Sequence, residues 1–156
     1  MEILKTKNGF TLLELLIGIS ILFIIISIIF NSFSTFRHNQ LLGGESGKIS
    51  SMLQEVRSKT VASKDDTVHG LHLETSKITS FKGETFILDD LDNKELVLDP
   101  LTQISSIDLN GGGVDIVFQR LTGKTDHYGT ITLILNSEPS KNKVIQIGKT
   151  GVIEVL

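Results

Sequence analysis

One long apolar run dominates the N-terminal part of the chain. It extends from Phe10 to Phe30, and Leu, Ile and Phe fill most of its 21 positions. About 20 consecutive apolar residues in a helix cross the hydrocarbon core of a bilayer. The polar side chains within it are Thr11, Glu14, Ser20 and Ser27. The pattern therefore predicts a transmembrane helix over residues 10–30.

The residues beside this run predict its orientation. Lys5 and Lys7 precede it, and basic residues stay on the cytoplasmic side, so everything after Asn31 is expected to face outward. A secretory signal peptide has a shorter apolar stretch of about 7–15 residues and a small-residue cleavage site. A signal peptide is disfavoured because the apolar run is longer than this and contains Glu14. Residues 32–34 are also a poor match to such a cleavage site. A plain single-pass anchor fits the length but leaves Glu14 unexplained.

A helical pattern continues beyond the apolar run. Apolar or small side chains recur at the spacing of one helical face at Ile49, Met52, Leu53, Val56 and Thr60. Gly43, Gly44 and Gly47 interrupt this pattern, and each glycine costs up to about 1 kcal/mol relative to alanine in a helix. We expect residues 31–64 to form an extracytoplasmic continuation of the helix with a kink at these glycines. A break into two helices is the alternative.

After residue 64 the spacing of apolar residues changes from that of a helix to that of β-strands. Nine short runs have strand character: Val68–Leu73, Ile78–Phe81, Thr85–Leu88, Leu96–Leu98, Ile104–Leu109, Val114–Phe118, Thr130–Leu135, Val144–Ile147 and Val152–Val155. Turn-forming residues separate them at Lys82–Glu84, Asn110–Gly113, Ser137–Asn142 and Gly148–Gly151. This succession predicts antiparallel sheets in two packed layers over residues 65–156. The fold class is therefore α+β, with a long N-terminal helix packed on a β-rich head.

Composition narrows the classes of function. The chain has 156 residues, enough for one modest domain and an anchor, and its net charge is −3. A mildly acidic balance argues against a general nucleic-acid binder. Cysteine is absent, which excludes disulfides, a lipoprotein anchor and thiol chemistry. The head must therefore be held together by its core.

The histidines do not form a recognisable metal site. His69 and His72 lie three apart in an expected strand and should point to opposite faces. His38 and His127 are isolated in the sequence. We therefore expect no metal centre and no cofactor.

An acidic segment resembles a calcium loop at first sight. Counted from Asp90, the fifth, sixth and twelfth positions hold Lys94, Glu95 and Leu101. An EF-hand needs an oxygen ligand, a glycine and a glutamate at these positions. We therefore interpret Asp89–Glu95 as a solvated acidic turn, and a calcium site of another kind is the alternative.

No set of residues predicts catalysis. A Ser-His-Asp set, paired catalytic carboxylates and a phosphate loop cannot be assembled with any specificity. Asn110–Gly113 lacks the lysine of a P-loop and is interpreted as a flexible hairpin. We expect no catalytic residues and no enzymatic activity.

The start of the apolar run carries a specific motif. Residues 9–16 read G-F-T-L-L-E-L-L, which resembles the prepilin-peptidase site of type IV pilins and type II secretion pseudopilins at every position. The resemblance implies that a membrane aspartic peptidase removes the leader 1–9 by cutting between Gly9 and Phe10. It also implies N-methylation of the new Phe10 amine by the same enzyme. Glu14 would then pair with the amine of a neighbouring subunit.

The rest of the chain extends this resemblance. A pilin helix followed by strands, with segments Gly129–Leu133, Val144–Gly148 and Gly151–Ile153, is similar to the GspH/FimT family of minor pseudopilins. The resemblance implies a minor filament subunit that starts in the cytoplasmic (inner) membrane and moves to an extracytoplasmic pilus or pseudopilus. Its implied partners are prepilin peptidase and other pilin or pseudopilin subunits.

Two questions stay open at the level of sequence. Relatives that take part in DNA uptake carry arginines after the last glycine, whereas Gly151–Leu156 has none, which argues against DNA binding. The alternative to a filament subunit is a membrane-tethered adhesin or binding domain that does not polymerise. The filament system that the chain would serve, whether for secretion, adhesion, motility or DNA uptake, is not readable from the residues.

Overall fold

The computed structural model describes residues 9–63 and 66–156. The expected leader therefore lies outside the described residues, apart from Gly9. The expected boundary between the helix and the head, at Lys64 and Asp65, also lies outside them. The chain divides into two compact units, Met1–His38 and Asn39–Leu156.

The N-terminal helix α1 is one uninterrupted element. It runs from Leu12 to Val61 and has 50 residues. Helical backbone passes through Gly43, Gly44 and Gly47, so the alternative of two separate helices is wrong. Buried side chains on either side of the glycines, such as Leu42 and Ile49, offset the low helix propensity of glycine.

The head contains eight strands in two antiparallel sheets. They are β1 (His69–Leu73), β2 (Lys77–Lys82), β3 (Lys94–Val97), β4 (Thr102–Leu109), β5 (Asp115–Val117), β6 (Gly129–Leu135), β7 (Glu138–Ile147) and β8 (Ile153–Val155). The first sheet has the order β3-β2-β1-β5 and the second has the order β4-β6-β7-β8. This architecture confirms the predicted α+β class with a long helix and two antiparallel sheets.

One predicted strand is wrong. Thr85–Leu88 belongs to the loop that joins β2 to β3. The first sheet has the order β3-β2-β1-β5, and this segment is not one of its strands. Phe86 stacks instead on the His72 ring, with ring centroids 4.0 Å apart. Only Phe86 of this segment packs against the head, whereas Thr85, Ile87 and Leu88 are exposed.

Two predicted turns also differ from the structure. Asn110–Gly113 is not a hairpin, because it connects β4 of the second sheet to β5 of the first. Ser137–Asn142 is mostly strand, since the turn between β6 and β7 is confined to Asn136 and Ser137. A register shift between Ile134 and Leu135 accommodates the Pro139 region, as a bulge allows.

One apolar core joins the helix to both sheets. The C-terminal part of α1 contributes Ile49, Leu53 and Val56, all at most 1% exposed. The sheets contribute fully buried side chains that include Leu71, Ile116, Phe118, Ile131, Leu133 and Ile145. The helical stripe predicted from spacing is therefore the buried face of α1 in the head. Burial of this kind is the main source of stability in a head without disulfides.

A hydrogen-bonded clip adds to this packing at the end of α1. The Thr60 hydroxyl oxygen accepts a hydrogen bond from the His69 backbone N–H at 3.0 Å. It also lies 3.0 Å from the Val56 carbonyl oxygen, to which it donates. The first residue of β1 is thereby attached to the last turns of α1.

Candidate functional site

The residues predicted to be processed lie at the start of α1. Gly9 and Phe10 precede the helix, and Phe10 is 85% exposed. The Thr11 hydroxyl oxygen accepts a hydrogen bond from the Glu14 backbone N–H at 3.2 Å. Thr11 is therefore the N-cap that starts the helix, and Glu14 lies in its first turn.

The sequence analysis did not identify Thr11 as the N-cap of α1. The signal was the T-x-x-E spacing of a capping box over Thr11–Glu14. An acid in the first turn also gains about 0.3–1 kcal/mol from the helix dipole. A charged side chain at a membrane helix centre costs about 2.5–3.5 kcal/mol even on mild scales. The gain from the helix dipole is thus smaller than the cost of a buried, unpaired carboxylate.

Glu14 lines an open groove along the helix. Phe10, Gly18 and Leu22 line the same groove. Gly18 is one turn beyond Glu14, and no atom lies within 4 Å of the position that its Cβ would take. Small residues of this kind let a second helix approach closely. The groove therefore leaves the carboxylate accessible from the side of the helix.

The apolar residues that follow are exposed all around the helix. The segment Leu12–Ile29 has a mean hydropathy of 2.9 and none of it is buried. Large side chains such as Leu13, Ile17 and Phe23 are 52–68% exposed. A helix that is hydrophobic all around needs lipid or other helices around it. By length and composition this segment can cross a membrane.

A family model recognises this same segment. Residues 4–30 match the prokaryotic N-terminal methylation motif. No curated protein matches the chain in sequence.

Solved structures match about three quarters of the chain. The minor pseudopilin EpsH from the type 2 secretion system of Vibrio cholerae has a TM-score of 0.56 and 10% identity. This match covers 74% of the chain and 96% of EpsH. The type IV minor pilin FimU of Pseudomonas aeruginosa has a TM-score of 0.58 and 14% identity, covering 78% of the chain and 92% of FimU. The chain therefore shares the fold of these two proteins and carries the N-terminal methylation motif.

The C-terminal turn of the head contacts the Arg57 side chain of α1. Arg57 donates a hydrogen bond from Nε to the Gly123 carbonyl oxygen at 3.1 Å. Gly151 has a φ of 78°, and a Cβ there would lie 1.8 Å from the same oxygen. Gly151, at the end of the turn Gly148–Gly151, is therefore enclosed between the Gly123 loop and Arg57 of the helix. This turn is part of the C-terminal sequence that carries the family resemblance.

The other candidates from the sequence have structural partners. His72 Nδ1 lies 2.6 Å from an Asp115 carboxylate oxygen, whereas His69 is the buried first residue of β1. In the acidic turn, an Asp90 carboxylate oxygen accepts a hydrogen bond from the Asp92 N–H at 2.9 Å. Among the described residues, no group of three or more metal-ligating side chains could hold a metal ion.

Sequence reasoning missed a buried acid on α1. Glu45 is 3% exposed and accepts a hydrogen bond from Lys48 Nζ at 2.7 Å. This hydrogen bond, together with the charge of Glu45, raises the pKa of Lys48. The second carboxylate oxygen of Glu45 has no hydrogen-bond partner among the described residues. The available signal was the position of Glu45 between Leu42 and Ile49 on the buried stripe.

Proposed function

We propose that the chain is a minor subunit of a type IV pilus-like or type II secretion filament. Prepilin peptidase would remove residues 1–9 and methylate the Phe10 amine. The observation that carries this proposal is the prepilin motif over residues 4–30 at the start of a helix whose apolar surface is uncovered. The fold shared with a minor pseudopilin and a minor pilin supports it.

Glu14 is proposed to set the position of each subunit in the filament. Cleavage after Gly9 creates a positive amine on Phe10, four residues before the carboxylate. The Glu14 carboxylate of one subunit would pair with this amine on a neighbour. An ion pair in an apolar bundle requires both partners, since removal of one leaves a buried charge. Apolar packing would drive assembly, and this pair would select the axial register.

The proposed topology follows from the charges that flank the helix. Lys5 and Lys7 would hold the N-terminus in the cytoplasm, and the head would lie outside the cytoplasmic membrane. The subunit would then leave the membrane as its helix joins a bundle of other pilin helices. Its proposed partners are therefore the peptidase and other pilin or pseudopilin subunits, and no enzymatic activity is assigned to the head.

The intact mass of the membrane-extracted protein tests the proposal. The protein is produced with a prepilin peptidase and, as the matched control, with a peptidase that lacks its catalytic aspartates. The expected product loses Met1–Gly9 and gains one methyl group only when the active enzyme is present. An identical, uncut mass in both samples would instead support a membrane-tethered domain that does not polymerise.

A further inference from the structure

A small basic pocket lies under the last turns of α1. Its floor is the first sheet and its volume is about 170 Å³. Three lysines, Lys59, Lys82 and Lys94, line it together with His69 and Ser80. A single water molecule takes about 30 Å³ of liquid volume, and drug-sized ligands take cavities of about 300–1,000 Å³. The pocket therefore fits a compact group.

Strand register explains why these side chains converge. His69 pairs with Lys82 between β1 and β2, and Ser80 pairs with Lys94 between β2 and β3. Directly paired residues present their side chains on the same face of a sheet. These two neighbouring pairs form the floor, and Lys59 approaches from α1. The pocket is thus built by four elements of the fold.

The charges in the pocket are only partly balanced. Lys59 pairs with Glu55 at 2.5 Å, and Lys82 lies 3.8 Å from Asp92, which also lines the pocket. Lys94 forms no ion pair with any described residue. The compact unit Asn39–Leu156 has 12 Lys and Arg residues against 16 Asp and Glu residues. A local excess of positive charge in an acidic head attracts an anion.

Ser80 supplies a neutral partner for such an anion. It is only 8% exposed, and its hydroxyl takes no hydrogen-bond partner among the described residues. Because Ser80 lines the pocket, its hydroxyl can donate a hydrogen bond to an acceptor that binds there. Ammonium groups and a hydroxyl are donors that oxyanions bind through short, charge-assisted hydrogen bonds.

We propose that this pocket is a binding site for one compact oxyanion, either a phosphate-type anion or the carboxylate of an acidic side chain. Its size excludes an extended polyanion, and the acidic surface of the head opposes one. The site is separate from the N-terminal motif and does not depend on the proposed filament role.

The first test is a titration of the full-length protein, in non-ionic detergent micelles, with inorganic phosphate at constant ionic strength. Amide NMR signals of Ser80, Lys82 and Lys94 are expected to shift and to saturate. Lys94→Gln should weaken binding about tenfold, the effect of losing one charged donor. Lys124→Gln is the matched control, because Lys124 is exposed and lies outside the pocket, and it should leave the affinity unchanged.

Parallel titrations with acetate and with N-acetyl-aspartate distinguish the two sources of oxyanion. Saturation by phosphate alone assigns a phosphate-type ligand, and saturation by the carboxylates assigns an acidic side chain of a partner. Ser80→Ala should weaken whichever anion binds. The proposal is overturned if no anion gives saturable shifts at the pocket, or if Lys124→Gln weakens binding as much as Lys94→Gln.

Discussion

Gly151 and Gly111 share a backbone conformation but differ in their surroundings. Their φ values are 78° and 83°, a region that residues with a side chain adopt at a cost of about 1–2 kcal/mol. No atom lies within 4 Å of a Cβ on Gly111, whereas a Cβ on Gly151 would overlap the Gly123 carbonyl oxygen. Substituting alanine at each of the two glycines therefore distinguishes the cost of backbone strain from the cost of a steric clash.

Gly151→Ala should destabilise the head by about 3–5 kcal/mol, the upper range for point substitutions, because the turn must also move away from Gly123. Gly111→Ala should cost about 1–2 kcal/mol, the strain alone. Thermal unfolding of the full-length variants in detergent measures both. Equal losses would show that the C-terminal turn is not enclosed as described.

Thr60 provides a second prediction about a single side chain. Thr60→Val keeps the shape but removes the hydroxyl that accepts the His69 N–H, so the loss should be about 1–3 kcal/mol. Thr60→Ser keeps the hydroxyl and is the control. Hydrogen exchange at the His69 amide should accelerate in the valine variant and stay slow in the serine variant. Unchanged exchange in the valine variant would contradict the role of the clip.

Among the elements, β3 is attached at the edge of the first sheet partly by charge. Lys77 on β2 lies 2.7 Å from Glu95 on β3 and 3.3 Å from Glu74. The hydrogen bond to Glu95, followed by that to Glu74, raises the pKa of Lys77 above its ordinary value of 10.5. The cationic form is therefore favoured in the folded state.

A raised lysine pKa fixes the direction of the pH effect. The contribution of Lys77 is fully present below the unfolded pKa of 10.5 and is lost as the pH rises through the folded value. The stability difference between wild type and Lys77→Gln should thus be constant at neutral pH and shrink at strongly alkaline pH. Unfolding curves of both proteins at several pH values measure it. A difference that grows with alkalinity would contradict this assignment.

Helices and strands were predictable from the sequence where the periodicity of apolar residues matches the face that packs in the core. The stripe Ile49–Thr60 and the alternating run Thr130–Leu135 were readable because one face of each packs in the core. Thr85–Leu88 was misread, because its residue types favour strands while the segment forms the loop between β2 and β3 and leaves Ile87 and Leu88 exposed. Asn110–Gly113 was misread because glycines signal a turn but not which sheet the chain enters next.

The two candidate sites also differ in whether the sequence alone could predict them. Gly9, Phe10 and Glu14 are close in sequence, so a motif was sufficient to select them. The basic pocket joins Lys59, Ser80 and Lys94, which are brought together by strand register and by packing of the helix. Register depends on long-range pairing that periodicity does not encode. That site therefore became visible only in the folded chain.

At the scale of the whole molecule, Glu14 is proposed to act between subunits. Glu14→Ala should leave cleavage and methylation intact, because Gly9 and Phe10 are unchanged, but should reduce incorporation into filaments strongly. The variant cannot neutralise the amine of a neighbour in the apolar bundle. Mass spectrometry measures processing, and the amount of subunit in sheared filaments measures assembly.

Ser20→Ala is the matched control for this prediction. Ser20 is also polar and in the same helix, but its hydroxyl donates to the Leu16 carbonyl oxygen at 2.8 Å. The Ser20 hydroxyl therefore does not require a hydrogen-bond partner from another subunit. Normal incorporation of Glu14→Ala, or an equal loss in Ser20→Ala, would refute the proposed pairing.

The contact of the Gly148–Gly151 turn with Gly123 and Arg57 has a consequence for the order of synthesis. The ribosome makes α1 before the strands and before this turn, so the helix lacks these neighbours while they are being synthesised. Until the strands have been made, the apolar stripe from Ile49 to Val56 is uncovered. Chaperones and proteases recognise exposed apolar surface. A chain truncated before the strands should therefore be degraded, whereas a chain that contains them buries the stripe.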